Sequence, residues 1–352
     1  MSEVLVTGGS GYIGSWCVLA LLANGHTVRT TVRDLKKEPA VRAMLRAGGA
    51  PEDAKLTVLA ADLQQDAGWR EAVERCDYVL HVASPTLNNL SSSDADMVGP
   101  ARDGVLRVLQ AAREAGVQRV VLTSAFGAVG MGHPEKSRVF TEEDWSNVDA
   151  GIAPYQKSKT LAEKAAWEFV AENGDIELAV VNPVGVFGPV LGSDYSPSLG
   201  LVQRMLDGDL PALPKFAMGY VDVRDVADLH LRAMTDPAAA GERFLAISGH
   251  SLWTREIAAI LRDRLGDRAS KVPTRELPVW TARLLARVNP GLRILRPQLG
   301  RNFDATSDKA QRMLGWSPRP IEDTIVDTAE SLLALNGATV QPRRHTDIRQ
   351  TS

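Results

Sequence analysis

A glycine-punctuated turn wedged between an apolar strand and a helix constrains this chain more than any other feature. Val4-Leu5-Val6 runs into Thr7-Gly8-Gly9-Ser10-Gly11-Tyr12-Ile13-Gly14, and a helical pattern then continues from Gly11 to Ala23. In such a turn Gly8 permits the tight bend, Gly11 lets backbone amides approach a pyrophosphate, and Gly14 allows the helix to pack closely on the strand. The helix N-terminus adds the positive end of its dipole. A glycine triplet alone is weak evidence, but the strand before it and the helix after it supply the context that makes it specific. Gly8, Gly11, Tyr12, Ile13 and Gly14 are therefore expected to hold the phosphates of a dinucleotide.

The first half of the chain repeats this rhythm. Short β-branched runs at Val4 to Thr7, Thr27 to Val32, Leu56 to Ala60, Tyr78 to Val82, Arg119 to Thr123 and Leu178 to Asn182 alternate with helical patterns such as Asp94 to Ala115. Alternation of this kind predicts an α/β fold, a Rossmann-type doubly wound parallel sheet with right-handed crossovers. After Pro183 the rhythm breaks, and helical patterns dominate from Thr254 onward. A dinucleotide-binding domain is expected over 1–190, with 219–250 returning to its sheet through strands near Tyr220 and at Phe244 to Ile247. A smaller, mostly helical substrate lobe is expected over 191–218 and 251–338, followed by a disordered polar tail over 339–352.

Composition narrows the function classes. With 352 residues, a formal net charge of −3 and 44% hydrophobic residues, nothing draws the whole molecule toward nucleic acid or anionic membrane. The two cysteines, Cys17 and Cys76, form no CxxC pair, so neither a disulfide framework nor a metal site is expected. The longest apolar stretches, such as Ser15 to Ala23, are far shorter than a membrane span requires, and no room for a signal segment precedes Val4. The expected partner is a small molecule, the expected compartment the cytoplasm, and the expected state a monomer or homodimer.

The end of the second strand bears on which dinucleotide is bound. NAD-binding units usually place an acid there to accept from the adenosine ribose. This chain reads Thr30-Thr31-Val32-Arg33, with Lys36 and Lys37 just beyond, which suits the 2'-phosphate of NADP(H). A charge-assisted hydrogen bond of roughly 1.5 to 3 kcal/mol would favour NADP by about 10- to 100-fold. A one-residue shift would instead present Asp34 to the ribose. Asp62 and Leu63, after the third strand, are placed near the adenine, although a turn aspartate explains Asp62 equally well.

Pro154-Tyr155-Gln156-Lys157-Ser158-Lys159 opens a long helical pattern in which Tyr155 and Lys159, four apart, share a face. An ammonium beside a phenol favours the phenolate and brings its pKa toward the working range, so the pair can give a proton to a carbonyl oxygen as hydride arrives. Lys159 would also reach the nicotinamide ribose.

Together these residues resemble the extended short-chain dehydrogenase/reductase superfamily, specifically its dihydroflavonol reductase and aldehyde/ketone reductase branch. The blocks that carry the likeness are Thr7 to Gly14, Thr27 to Asp34, His81-Val82-Ala83-Ser84-Pro85, Tyr155 to Trp167, Asn182 to Pro189, Tyr220 to Ala227, and Leu314-Gly315-Trp316-Ser317-Pro318. The resemblance implies that Val82, Ala83 and Ser84 line the cofactor, that Thr123 lies beside it, and that Pro183 and Val184 sit against the nicotinamide. It implies an NADP(H)-dependent oxidoreductase acting on a small aldehyde, ketone or alcohol. Where the branch carries two consecutive serines, this chain has Ser124-Ala125, so an alanine stands at the catalytic serine position. Ser124 is taken as the replacement, with Thr123, or Tyr155 acting alone, as the alternatives. The region that would contact a flavonoid reads Val129-Gly130-Met131-Gly132, which argues against that substrate. His133, Phe126, Met131 and Trp145 are candidate pocket walls or simply packing residues.

Two other readings fit part of the pattern. A nucleotide-sugar epimerase or dehydratase shares the turn and the Tyr/Lys pair but keeps NAD bound and needs arginines for a diphosphate, for which Arg204, Arg293 and Arg301 are available. A non-catalytic dinucleotide sensor would tolerate Ala125.

Overall fold

The computed structural model describes residues 1–85, 93–135, 137–192, 198–287 and 295–339. The first half runs β1 (Glu3–Val6), α1 (Tyr12–Ala23), β2 (Thr27–Val32), α2 (Glu38–Ala47), β3 (Leu56–Ala60), α3 (Trp69–Val73), β4 (Tyr78–His81), α4 (Asp94–Glu114), β5 (Arg119–Thr123), β6 (Ser137–Phe140) and α5 (Pro154–Asn173). It continues with β7 (Glu177–Pro183), β8 (Gly185–Phe187), α6 (Leu199–Asp207), β9 (Leu213–Pro214), β10 (Ala217–Met218), β11 (Tyr220–Asp222), α7 (Val223–Thr235) and β12 (Arg243–Ala246). The remainder holds β13 (Leu252–Trp253), α8 (Thr254–Leu265), β14 (Glu276–Leu277), α9 (Val279–Leu285), β15 (Asn302–Ala305), α10 (Asp308–Leu314) and α11 (Ile321–Thr339).

Seven strands form one parallel sheet in the order β12-β7-β5-β4-β1-β2-β3. The order reverses at β1, so a crevice opens beyond the C-terminal ends of β1 and β4, where doubly wound sheets bind ligands. The strands are near-continuous apolar runs because helices bury both faces. Val4, Val6, Leu80 and Val121 pack toward α1 and α7; Leu5, Val79, Val120 and Leu122 pack toward α3, α4 and α5. Local signals set the helix ends: Ser93 and Asp96 form a reciprocal capping box on α4, while Pro154 opens α5 and left-handed Gly174 closes it.

Of the two strands expected to return to the sheet, β12 does, at its edge beside β7. Tyr220–Asp222 instead pairs with Gly185–Phe187 in a separate two-stranded sheet, because β7 turns away after Pro183 and carries its continuation out of the main plane. A second four-stranded sheet, β13-β10-β15-β6, draws Ser137–Phe140 out of the first half to pair with Asn302–Ala305. The stretches over 191–218 and 251–338 otherwise supply α6, α8, α9, α10 and α11. Thr339, the first residue of the tail expected over 339–352, is instead the last residue of α11, and the rest of that tail lies outside the described residues.

Side chains from α1 fasten it to the segment after β8. The Tyr12 hydroxyl donates to Gly188 O at 2.8 Å and the Trp16 indole to Pro189 O at 3.1 Å. From the opposite side, Thr328 and Ser331 on α11 accept from the Gly188 and Val190 amides at 2.6 and 3.2 Å.

Candidate active site

The glycine turn has the shape its sequence implies. Gly8 sits at φ +71°, and the Gly11 amide donates to Gly8 O at 2.9 Å. A Cβ on Gly14 would stand 2.3 Å from Gly8 O, which no real contact allows. Gly9 lies hard against Thr30, whose hydroxyl donates to Val6 O, and the Gly8 amide donates to the Thr31 hydroxyl at 3.1 Å. No side chain caps the N-terminus of α1, so its free amides and dipole face the crevice.

That crevice is a cleft of about 350 Å³. Gly8, Gly11, Tyr12, Ile13 and Gly14 line it together with Arg33, Lys37, Asp62 and Leu63. Val82, Ala83 and Ser84 complete it from the end of β4. Asp34 is not among the lining residues, because its carboxylate accepts the Lys36 amide at 2.9 Å and caps a short 3-10 helix. Asp62 lines the cleft, and its carboxylate accepts the Gln64 amide at 3.0 Å as a turn aspartate does. The glycine cradle, the uncapped helix and the two exposed cations fit a dinucleotide carrying an extra phosphate.

Beneath the cleft a buried relay holds Ala83 in place. The Ala83 amide donates to Thr7 Oγ1 at 2.9 Å, and the same hydroxyl is hydrogen-bonded to His81 Nδ1, also at 2.9 Å. Burial, with the Lys159 ammonium as a lesser cause, pushes His81 down to about 3. Elsewhere in the core Thr123 donates to His230 Nε2 at 2.7 Å while His230 Nδ1 donates to Val226 O.

Tyr155 and Lys159 share the face of α5 turned toward β5, and the Lys159 ammonium donates to Thr123 O at 3.2 Å. Burial penalises both charged forms: it lifts the Tyr155 phenol up to about 12 and lowers Lys159 to about 8, against which Glu163 acts. The depression of the phenol expected from the sequence is thus absent here, because burial disfavours the phenolate. Thr123, Ser124 and Lys159 line a cavity of about 20 Å³ that adjoins the main cleft through Leu63, Ala83 and Ser84. Among the described residues, the lining of these two spaces does not include Tyr155, Pro183 or Val184. Pro183 ends β7 against Ala246, and Val184 is buried beside Gly219.

Ser124 donates to the buried Glu163 carboxylate at 2.5 Å. Ala125, the next residue, is extended and partly exposed, so its methyl leaves by the other side of the strand end. Glu163 went unnoticed in the sequence, as did Asn182 and Arg243, which also bond to it. The available signal was spacing, since Glu163 follows Lys159 by one helical turn. Ser10, Thr31, Gln64 and Trp69 likewise line the main cleft without having been singled out.

The other candidates are accounted for by packing. Phe126 meets Phe140 and Phe303 edge-on, and Trp145 lies 3.8 Å under the Arg243 guanidinium. His133 Nε2 donates to Trp145 O, and Arg301 to His133 O. Arg293 lies outside the described residues. Among the described residues no group of His, Cys, Asp and Glu could hold a metal ion, and no helix is long and apolar enough to cross a membrane.

Comparison with known proteins agrees with this geometry. The model of the NAD dependent epimerase/dehydratase family matches residues 4–246. Cinnamoyl-CoA reductase CAD2 of Medicago truncatula is 34% identical over 338 residues, covering 94% of this chain and 95% of that protein. The dihydroflavonol 4-reductase of Zea mays is 35% identical over 272 residues, 74% of each chain. Among solved structures, yeast methylglyoxal/isovaleraldehyde reductase Gre2 complexed with NADPH superposes with a TM-score of 0.78 at 28% identity, over 95% of this chain and 99% of that one. The chain belongs to the NAD dependent epimerase/dehydratase family, the extended short-chain dehydrogenases/reductases, on the branch that holds the cinnamoyl-CoA and dihydroflavonol reductases.

Proposed function

We propose that this chain is an NADP(H)-dependent reductase of small aldehydes or ketones, with Tyr155 as the proton donor and Lys159 as its electrostatic partner. One observation carries the reading: Arg33 and Lys37 mark a phosphate-binding end of the cleft, while Ala83 and Ser84 continue it to the cavity that Lys159 lines. The reductase titles of the relatives, and the NADPH named with Gre2, support the same cofactor. Against the NAD-retaining sugar enzyme stands Asp34, whose carboxylate is turned to capping.

A bound nicotinamide dinucleotide supplies hydride. Arg33 and Lys37 would hold its 2'-phosphate, and the turn amides its pyrophosphate. Tyr155 gives its phenolic proton to the carbonyl oxygen as negative charge gathers there. A phenol held near 12 is a poor acid at neutral pH, so the phenolate it leaves depends on a charged Lys159. At pH 7 a lysine near 8 is about nine-tenths charged. Ser124 acts from behind the lysine, through the carboxylate it bonds.

The test is NADPH oxidation over a panel of aldehydes and ketones, run for the parent and Tyr155→Phe. Expected is turnover with NADPH in preference to NADH, reduced about 100-fold or more in the variant while NADPH affinity holds within about twofold. Undiminished activity in Tyr155→Phe overturns the reading.

A further inference from the structure

We propose that Glu163 is a positioning residue that keeps Lys159 charged through the working pH range, anchored by a buried cluster with Ser124, Asn182 and Arg243. This rests on the assignment of Tyr155 and Lys159 as the acid pair. The Glu163 side chain is completely buried. Its Oε2 accepts from Ser124 at 2.5 Å and Asn182 at 2.8 Å, and its Oε1 from Arg243 at 2.6 Å and Trp167 at 3.4 Å. Four donors thus fill the acceptor sites of one carboxylate and fix its position. Arg243 does not simply cancel that charge, because its guanidinium also donates to Glu142 O and Asp144 O and stacks on Trp145.

Lys159, Ser124 and Glu163 are walls of the same 20 Å³ cavity, which has room for one water. The groups facing Lys159 are few. Strand β5 offers the Thr123 carbonyl, β4 the neutral His81, α4 the apolar Ala101 and Val105, and α5 itself Tyr155 and Glu163. Among these described groups Glu163 alone is anionic. Burial lowers the lysine to about 8 and Glu163 opposes that fall, so without it the ammonium would discharge near neutrality and no longer support the phenolate.

The experiment compares kcat and KM from pH 6 to pH 10 for the parent, Glu163→Gln and Glu163→Asp, with NADPH affinity measured in parallel. Glu163→Gln is expected to move the alkaline limb of kcat down by about one pH unit or more. The carbonyl KM and NADPH affinity should stay within about twofold, and Glu163→Asp should keep the limb near its original position. Should Glu163→Gln not fold, the double variant E163M/R243M removes the pair together, a change that buried ion pairs often tolerate, and its limb should also move down. A limb that stays in place in the folded variant overturns the inference. Tyr155→Phe separates the two failures: activity there sinks the functional assignment, whereas an inactive Tyr155→Phe with an unmoved Glu163→Gln limb sinks only the role of Glu163.

Discussion

Mild acid should unfold this protein through two imidazoles that have no room for a second proton. His81 and His230 are completely buried, and burial holds them at about 3 and about 4 instead of the usual 6.5. Each is hydrogen-bonded to a buried threonine hydroxyl. The unfolded chain takes up both protons as pH falls below 6.5 while the folded chain takes up neither, so stability drops with falling pH. Two protons correspond to a slope of about 2.7 kcal/mol per pH unit, and by pH 5 the loss reaches roughly 4 kcal/mol. Against a typical total of about 5 to 15 kcal/mol that is a large share. Burial raises the Glu142 and Asp225 carboxyls, which act in the opposite sense, so variants must isolate the imidazoles. Urea denaturation between pH 7 and pH 5 should show His230→Gln losing about half of the parent's pH slope. Stability independent of pH over this range, or a parent-like slope in His230→Gln, refutes the reasoning.

Two substitutions test the cleft itself. Gly14→Ala drives a methyl to within 2.3 Å of Gly8 O, so the turn must open; NADPH binding measured by fluorescence should weaken at least 100-fold, and retention within tenfold would mean that the turn gives way without cost. Arg33→Ala removes one of the two cations at the phosphate end; steady-state kinetics should show KM for NADPH rising about 10- to 100-fold with little change for NADH, and an equal rise for both would place the arginine's role elsewhere.

The fold was legible because its signals are local. Val4 to Gly14 encodes strand, turn and helix within a dozen residues, and β2, β3 and β5 begin and end where their β-branched runs do. The strand near Tyr220 was misplaced because pairing depends on where the chain leaves β7, which no local pattern records. In the site, the phosphate turn and the cations of the second strand's end were readable from neighbours in sequence. The carboxylate under Ser124 was not, since its partners arrive from β5, β7 and β12, each bringing one polar side chain to a common point. Lys159 and Tyr155 were found by spacing, yet spacing is blind to desolvation, and desolvation sets the direction in which both titrate.

The ties that run from Tyr12 and Trp16 to Gly188 and Pro189, and onward to Thr328 and Ser331, join α1 to α11. These two helices therefore belong to one cooperative unit, closed only once residues 321–339 have been made. A nascent chain would hold all seven strands of the main sheet before α11 could close that tie, so firm NADPH capture is expected to follow the synthesis of α11.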